Sequence, residues 1–384
     1  MAVLTEAELL QIRRQLHQIP ELALEEYQTH AYLLDVIKQM KQDYLEIKEP
    51  AKLPTALLVL VKGSKAKRTI GYRADIDALP VTEATGLPFA SKHPGVMHAC
   101  GHDIHMTVAL GVLSYFSEHQ PSDNLLFFFQ PAEESESGGM KAYQLGLFTS
   151  KWHVDEFYGL HDNPSLPAGA IGCRNGTLFA GTTEVNIDIK GKGGHAAFPQ
   201  LSNDAVVAAA ALIMQVQTII SRNIDPIQSG VITLGKVTAG KIRNVIADSA
   251  RIEGTIRGLT QSMIELIDKR LAEVCQGIEL SFGVKVKLEL NQGGYWPVEN
   301  NPELTENFIN YMKQAVGVEY VETAPAMTGE DFGYLLAQIP GTMFWLGIED
   351  DSPLHSATLT PQESSISRGI AAITGFLEYR MTED

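Results

Sequence analysis

The sequence predicts an α/β protein: a domain built on a mostly parallel sheet, with a ferredoxin-like α+β domain inserted into it. Three observations carry this. Strands of the fully buried kind alternate with helices along the first part of the chain. The middle switches to half-exposed strands in the order strand-helix-strand-strand-helix-strand. Acids and histidines follow closely on the predicted strands of the first part, at the sheet edge where α/β proteins gather ligands.

The first helix starts at Thr5, which has capping-box spacing to Glu8. It places Leu9, Ile12, Leu16 and Ile19 on one face and stops before Pro20. A second helix is expected over Tyr27 to Met40, then strands at Ala56 to Val61 and Thr69 to Tyr72. The second strand runs into Asp75 and Asp77, and Pro80 ends the element. A helix near Met106 to Glu118 leads to the apolar strand Leu125 to Phe129, and a further strand from Glu156 ends at His161. In the middle, Thr183 to Ile189 alternates polar and apolar residues, the mark of a half-exposed strand. A helix follows from Asp204 to Ser221, its apolar start fitting burial. Then come strands near Val231 to Val237 and Arg251 to Arg257, a helix near Gln261 to Cys275 and a strand near Lys285 to Leu290. These boundaries place the inserted domain at 178–291 and the first domain at 1–177 plus 292–384, the latter resuming with a helix over 302–315.

At 384 residues two domains are expected. Thirty basic against 46 acidic residues give a net charge of -16, which argues against nucleic acid or an anionic membrane as the main partner. The N-terminal residues lack a basic region followed by an apolar one, and no apolar run approaches the roughly 20 residues of a membrane span. Three cysteines, Cys100, Cys173 and Cys275, do not form a disulfide pattern. The expected location is the cytoplasm.

Chemistry concentrates in Cys100-Gly101-His102-Asp103-Ile104-His105 and in Glu133-Glu134. Thiolate, imidazole and carboxylate together suit zinc, and also manganese, cobalt or nickel. Cys100 and His102, two apart, can point at one site from an extended or turn backbone. Paired glutamates are often only a solvated helix surface. Here they follow a continuous apolar run and precede Ser137-Gly138-Gly139, which favours a site. One carboxylate can hold a metal while its neighbour takes a proton from water activated there. Any one of these residues alone reads as ordinary core or surface; the cluster does not. His17 and His98 read as structural, and His30, His93, His119 and His153 as mostly exposed. A zinc dehydrogenase is disfavoured because no Gly-x-Gly-x-x-Gly turn follows a strand. A non-catalytic, metal-containing binding protein is the remaining alternative class.

The motifs Arg73-Ala74-Asp75-Ile76-Asp77-Ala78-Leu79, Cys100 to Thr107 and Gln130-Pro131-Ala132-Glu133-Glu134 resemble the aminoacylase/carboxypeptidase family of di-metal amidohydrolases. So do Gly193-Gly194-His195-Ala196-Ala197-Phe198-Pro199, Asn244-Val245-Ile246-Ala247, Gly254-Thr255-Ile256-Arg257, Gly329-Glu330-Asp331-Phe332 and Leu354-His355-Ser356. The likeness covers nearly the whole chain. It is greatest to the branch holding hippurate hydrolases, auxin-conjugate amidohydrolases and N-acetyldiaminopimelate deacetylases. The resemblance implies two divalent metals bridged by Cys100 and completed by His102, Glu134, His161 and His355. It implies Glu133 as general base, and Asp75 or Asp77 behind the site; related peptidases carry a histidine ligand at the first of these positions. His195 would stabilise the oxyanion, often from the partner subunit, while Asn244 and Arg257 would hold the substrate carboxylate or the tetrahedral oxygen. Arg257 has a rival reading as a structural ion pair on its strand. The implied substrate is an N-acyl amino acid. N-acetyldiaminopimelate of lysine biosynthesis is favoured over a broader N-acyl-amino-acid or hippurate-type range. The inserted domain would close over the substrate and form a homodimer.

Overall fold

The structure is a computed structural model describing residues 3–382; Met1, Ala2, Glu383 and Asp384, which fall within the expected first domain, lie outside the described residues. The chain forms two compact units. One comprises the residues up to Leu178, Val298–Ala324 and the chain from Tyr334 on; the other comprises Phe179–Pro297 and Pro325–Gly333.

The first unit opens with α1 (Glu6–Gln18), whose Thr5–Glu8 capping box is present, and α2 (Tyr27–Lys38). Strands β1 (Leu45–Lys48), β2 (Leu57–Val61) and β3 (Thr69–Asp75) follow. After α3 (His102–Glu118) come β4 (Asn124–Gln130), β5 (Glu156–Asn163) and β6 (Ile171–Cys173). The sheet has eight strands in the order β1, β2, β4, β3, β5, Gly341–Gly347, β6, Tyr320–Glu322. It is mixed rather than mostly parallel. The four central strands β4, β3, β5 and Gly341–Gly347 run parallel, whereas β1, β2 and β4 pair antiparallel, and β6 runs antiparallel to Gly341–Gly347. The short segment between β1 and β2 leaves no room for a crossover helix, so that edge turns back on itself. Leu57, Val59, Ile70, Tyr72, Phe127 and Phe129 of the sheet share one core with Leu9, Ile12 and Leu16 of α1, with Ile104, Val108 and Leu113 of α3, and with Phe376 of the last helix. Each such side chain contributes about 1.5–3 kcal/mol.

Two local expectations change. The helix expected from Met106 starts four residues earlier, so His102 is its first residue; of the extended or turn backbone expected at Cys100 and His102, the turn is what forms. Gly101, at φ 78°, makes the left-handed turn that allows this. Asp75 and His161 lie inside β3 and β5 rather than just beyond them.

The second unit has a four-stranded antiparallel sheet ordered Gly230–Ala239, Ser249–Gly258, Gly181–Lys190, Lys285–Asn291. Its long helices are Ala205–Asn223 and Gln261–Phe282. Ala205, Ala208, Leu212, Val216 and Ile219 of the first, and Ile267, Leu271 and Ile278 of the second, form a core with Val185, Ile187, Ile252 and Ile256 of the sheet. Contrary to expectation the first helix is buried on one side only: Val206, Val207 and Met214 are exposed by 45%, 50% and 69%. It is also the one helix among the described residues long and apolar enough to cross a membrane, but its inward face is committed to the sheet.

Candidate metal centre

Parallel pairing brings the carboxyl ends of β3, β4 and β5 side by side: Asp75 lies opposite Gln130, and Arg73 opposite Gly159. Asp77 and Glu133-Glu134 leave the first two strands, and His161 sits near the end of the third. His355 comes from the loop after Gly341–Gly347, and its N–H donates to the Ala99 carbonyl at 2.7 Å. That bond ties the loop to the residue before Cys100. One edge of one sheet therefore collects side chains up to 255 positions apart.

Cys100 is the hub. Its Sγ lies 3.4 Å from His161 Nε2 and 3.3 Å from His355 Nε2. His355 Nε2 is 3.7 Å from Glu134 Oε1, and His102 Nε2 is 3.8 Å from the same oxygen. Two groups of donor atoms result, Cys100–His102–His161 and Cys100–Glu134–His355, each gathered within 4.8 Å and both sharing the thiol. Ligands on a tetrahedral cation with bonds of about 2.0–2.3 Å stand roughly 3.3–3.8 Å apart, so the spacing fits two cations sharing one thiolate. The tautomers agree. His102 Nδ1–H donates to the Asp77 carbonyl at 2.8 Å and His161 Nδ1–H to the Asp162 carbonyl at 3.0 Å, so both rings turn Nε2 inward. His102 Nε2 and Glu134 Oε1 are buried without a hydrogen-bond partner, as metal-donor atoms should be. Glu133, 4% exposed, lies with His102 and Glu134 in a third such group.

Electrostatics point the same way. Burial, then Glu134, Glu133 and Asp75, pushes the Cys100 thiol well above its ordinary range. Burial raises Glu134 to about 7 against the pull of His102. Burial opposes protonation of His102, but Asp75, then Asp77 and Glu134, outweigh it and lift the imidazole to about 10. A divalent cation held by these donors would displace such protons and balance the acids.

The two aspartates differ. Asp75 is fully buried and engaged by Arg73 Nη1 at 2.7 Å and by His105 Nδ1 at 2.6 Å, with its Oδ2 3.6 Å from His102 Nε2. Burial works against its ionisation, yet Arg73, with His102 and His105, holds the carboxyl well below the usual range. Asp77 accepts the Glu134 N–H at 2.9 Å and faces His102 Nδ1 at 3.5 Å, so it orients a residue of each donor group. Asp103 forms ion pairs with Arg13 at 2.8 Å and with His17 at 2.9 Å, anchoring the start of α3 to α1. His17 and His98, read as structural, are buried. His30, expected exposed, is buried too, between the Thr55 carbonyl and Glu49.

Three contributors escaped the sequence reading: Gly101, Asp162 and Glu26. A β-carbon on Gly101 would lie 2.0 Å from Asp162 Oδ2. Gly101→Ala is therefore expected to lose about 1–2 kcal/mol from the left-handed backbone alone, and more from the clash. A lowered urea midpoint together with reduced metal content checks this; wild-type values for both would contradict it.

In the second unit, His195 and Asn244 belong to one small ribbon. Gly194–His195 pairs with Val245–Ile246, and Ala196 N–H donates to the Asn244 carbonyl at 3.2 Å. His195 is exposed and its Nδ1 accepts the Ala197 N–H at 3.1 Å, which leaves Nε2–H as a free donor. Arg257 pairs in register with Thr182, whose hydroxyl accepts from Nη1. No carboxylate among the described residues reaches Arg257. The ion-pair role on that strand falls to Arg251, which holds Asp188 at 2.8 Å and Glu253 at 3.0 Å.

The family model for peptidase family M20/M25/M40 matches residues 71–379. The chain is 74% identical over 379 residues to a Limosilactobacillus reuteri protein named N-acetyldiaminopimelate deacetylase, covering 99% of this chain and 100% of that one. Among solved structures, a Staphylococcus aureus protein described as a putative aminohydrolase superposes with a TM-score of 0.89 at 33% identity, covering 97% of this chain and 96% of that one. A Bacillus subtilis protein described as a dinuclear metal-binding peptidase of the M20 family superposes with a TM-score of 0.86 at 29% identity, covering 98% of both. The chain belongs to peptidase family M20/M25/M40.

Proposed function

We propose that this chain hydrolyses the amide of N-acetyl-L,L-diaminopimelate, giving acetate and diaminopimelate for lysine biosynthesis. The observation that carries the reaction class is the pair of donor groups sharing Cys100, with Glu133 buried beside them. The substrate rests on the full-length likeness to the Limosilactobacillus reuteri deacetylase. Cys100, His102, Glu134, His161 and His355 would hold two divalent cations, of which zinc, manganese, cobalt and nickel suit the donors. The chemistry such cations would supply there is Lewis acidity, towards the acyl carbonyl oxygen and towards water. Glu133 takes the proton from the attacking water and passes it to the departing amine as the C–N bond breaks. Asp77 fixes His102 and Glu134, and Asp75 fixes His105. His195 offers Nε2–H to the developing oxyanion, and Asn244 and Arg257 hold the substrate's carboxylate or the tetrahedral oxygen. A half-buried guanidinium with no carboxylate partner among the described residues supports that role for Arg257. The experiment is amino-acid release from N-acetyl-diaminopimelate, N-acetyl-ornithine, N-acetyl-methionine and hippurate. Preference for the first is expected; similar rates on all four would favour the broader amidohydrolase.

We read the second unit as a ferredoxin-like lid and dimerisation domain. Its strand order supports the first part. The second rests on the edge strand Gly230–Ala239, with Val231 and Val237 exposed, and on the apolar outer face of Ala205–Asn223. Open edges and contiguous apolar patches favour association. A homodimer is the expected mass by light scattering, and Val207→Glu/Met214→Glu is expected to halve it. A single-chain mass for the unmodified protein would refute the dimer. All three cysteines are buried and free, which suits a reducing compartment, and we assign the enzyme to the cytoplasm.

A further inference from the structure

We infer that Glu26, more than a hundred residues from Glu133 in sequence, is a positioning residue that sets the general base. The inference rests on the reading of Glu133 as that base. Glu26 is completely buried, and one of its oxygens accepts two backbone N–H groups, from Leu24 at 3.0 Å and from Ala132 at 2.8 Å. Both donors are left-handed residues other than glycine, at φ 63° and 59°, a conformation that persists only where the surroundings impose it. Ala132 immediately precedes Glu133. Its carbonyl accepts the Gly138 N–H at 3.0 Å, and at Gly138 a β-carbon would meet the Pro131 oxygen at 1.7 Å. The turn from Pro131 to Glu134 is thus clamped on both sides of Glu133, by Glu26 at Ala132 and by Asp77 at the Glu134 N–H. Removing Glu26 strands the buried Ala132 N–H and the part-buried Leu24 N–H, and lets Ala132 relax towards ordinary φ, which turns the following side chain away.

The test compares Glu26→Ala, Glu26→Gln, Glu26→Asp and the double variant Glu26→Ala/Ala132→Gly. Readouts are kcat and KM on N-acetyl-diaminopimelate, metal per chain, and hydrogen exchange of the peptide containing Ala132. Glu26→Ala is expected to lower kcat about 10–100-fold, by analogy with loss of an orienting partner, with KM within about threefold and metal content unchanged. Glutamine keeps an acceptor oxygen in place and is expected to recover most of kcat. Glycine at 132 adopts the left-handed turn unaided and is expected to recover part of it in the alanine background. Exchange at Ala132 rises in the alanine variant. A kcat within twofold of wild type, loss of metal, or no recovery by glutamine or glycine overturns the inference. If Glu26→Ala does not fold, the other single variants decide: activity kept by Gln and lost with metals retained in Asp, one methylene short, supports it, and equal activities overturn it. If the unmodified protein hydrolyses no N-acyl amino acid, the functional reading fails by itself. Exchange at Ala132 still tests Glu26, and unchanged exchange overturns its role.

Discussion

Glu133→Gln is expected to lower kcat on N-acetyl-diaminopimelate by about 10²–10⁴-fold while leaving two metals per chain and KM nearly unchanged. The amide keeps the size of the side chain but cannot take the proton. Glu133 is not needed for either donor group that shares Cys100, so the cations stay. Steady-state kinetics and metal analysis on the same sample check this. Retained turnover would remove Glu133 as the base, and loss of metal would make it a ligand.

Cys100→Ala is the second large effect. It removes the one donor common to both groups, and alanine offers neither charge nor lone pair. Metal content is expected to fall below one per chain and turnover by more than about 100-fold. The thiol also makes loading depend on pH. His102 is held protonated up to about 10 and Cys100 to well above its ordinary range, and both protons must leave when a cation arrives. Metal affinity therefore rises with pH up to about 10, where His102 gives up its proton, and falls as the solution is acidified. Binding is expected to release about two protons per pair of cations, and the release is smaller in Cys100→Ala. Calorimetry in buffers of different ionisation enthalpy measures this directly. No proton uptake by buffer would contradict the arrangement.

Much of this site was legible because its chemistry is local in sequence. Cys100 and His102 share one turn, Glu133 and Glu134 share one strand end, and the apolar run before them announced the strand. Periodicity also gave most helices and three of the four central strands, β4, β3 and β5. It missed β1, the fourth central strand Gly341–Gly347 and the last helix Ser364–Arg380, which serve a sheet whose order no local signal reveals. The antiparallel edge escaped for the same reason: direction is set by which strands meet. Arg73, quoted only as part of a motif, proved to be the charge that keeps Asp75 ionised. Glu26 carried no signal in the sequence, because the amide it holds is 106 residues away. Gly101 looked like one more glycine until its left-handed φ and the carboxylate of Asp162 stood next to each other.

The most direct measurement is acetate release from N-acetyl-L,L-diaminopimelate by metal-stripped protein as zinc, manganese or cobalt is returned. Activity is expected to be absent at first, to rise with added metal and to level off at two ions per chain. Turnover by the metal-free protein, or none with any of the three metals, would contradict a cation pair gathered by Cys100.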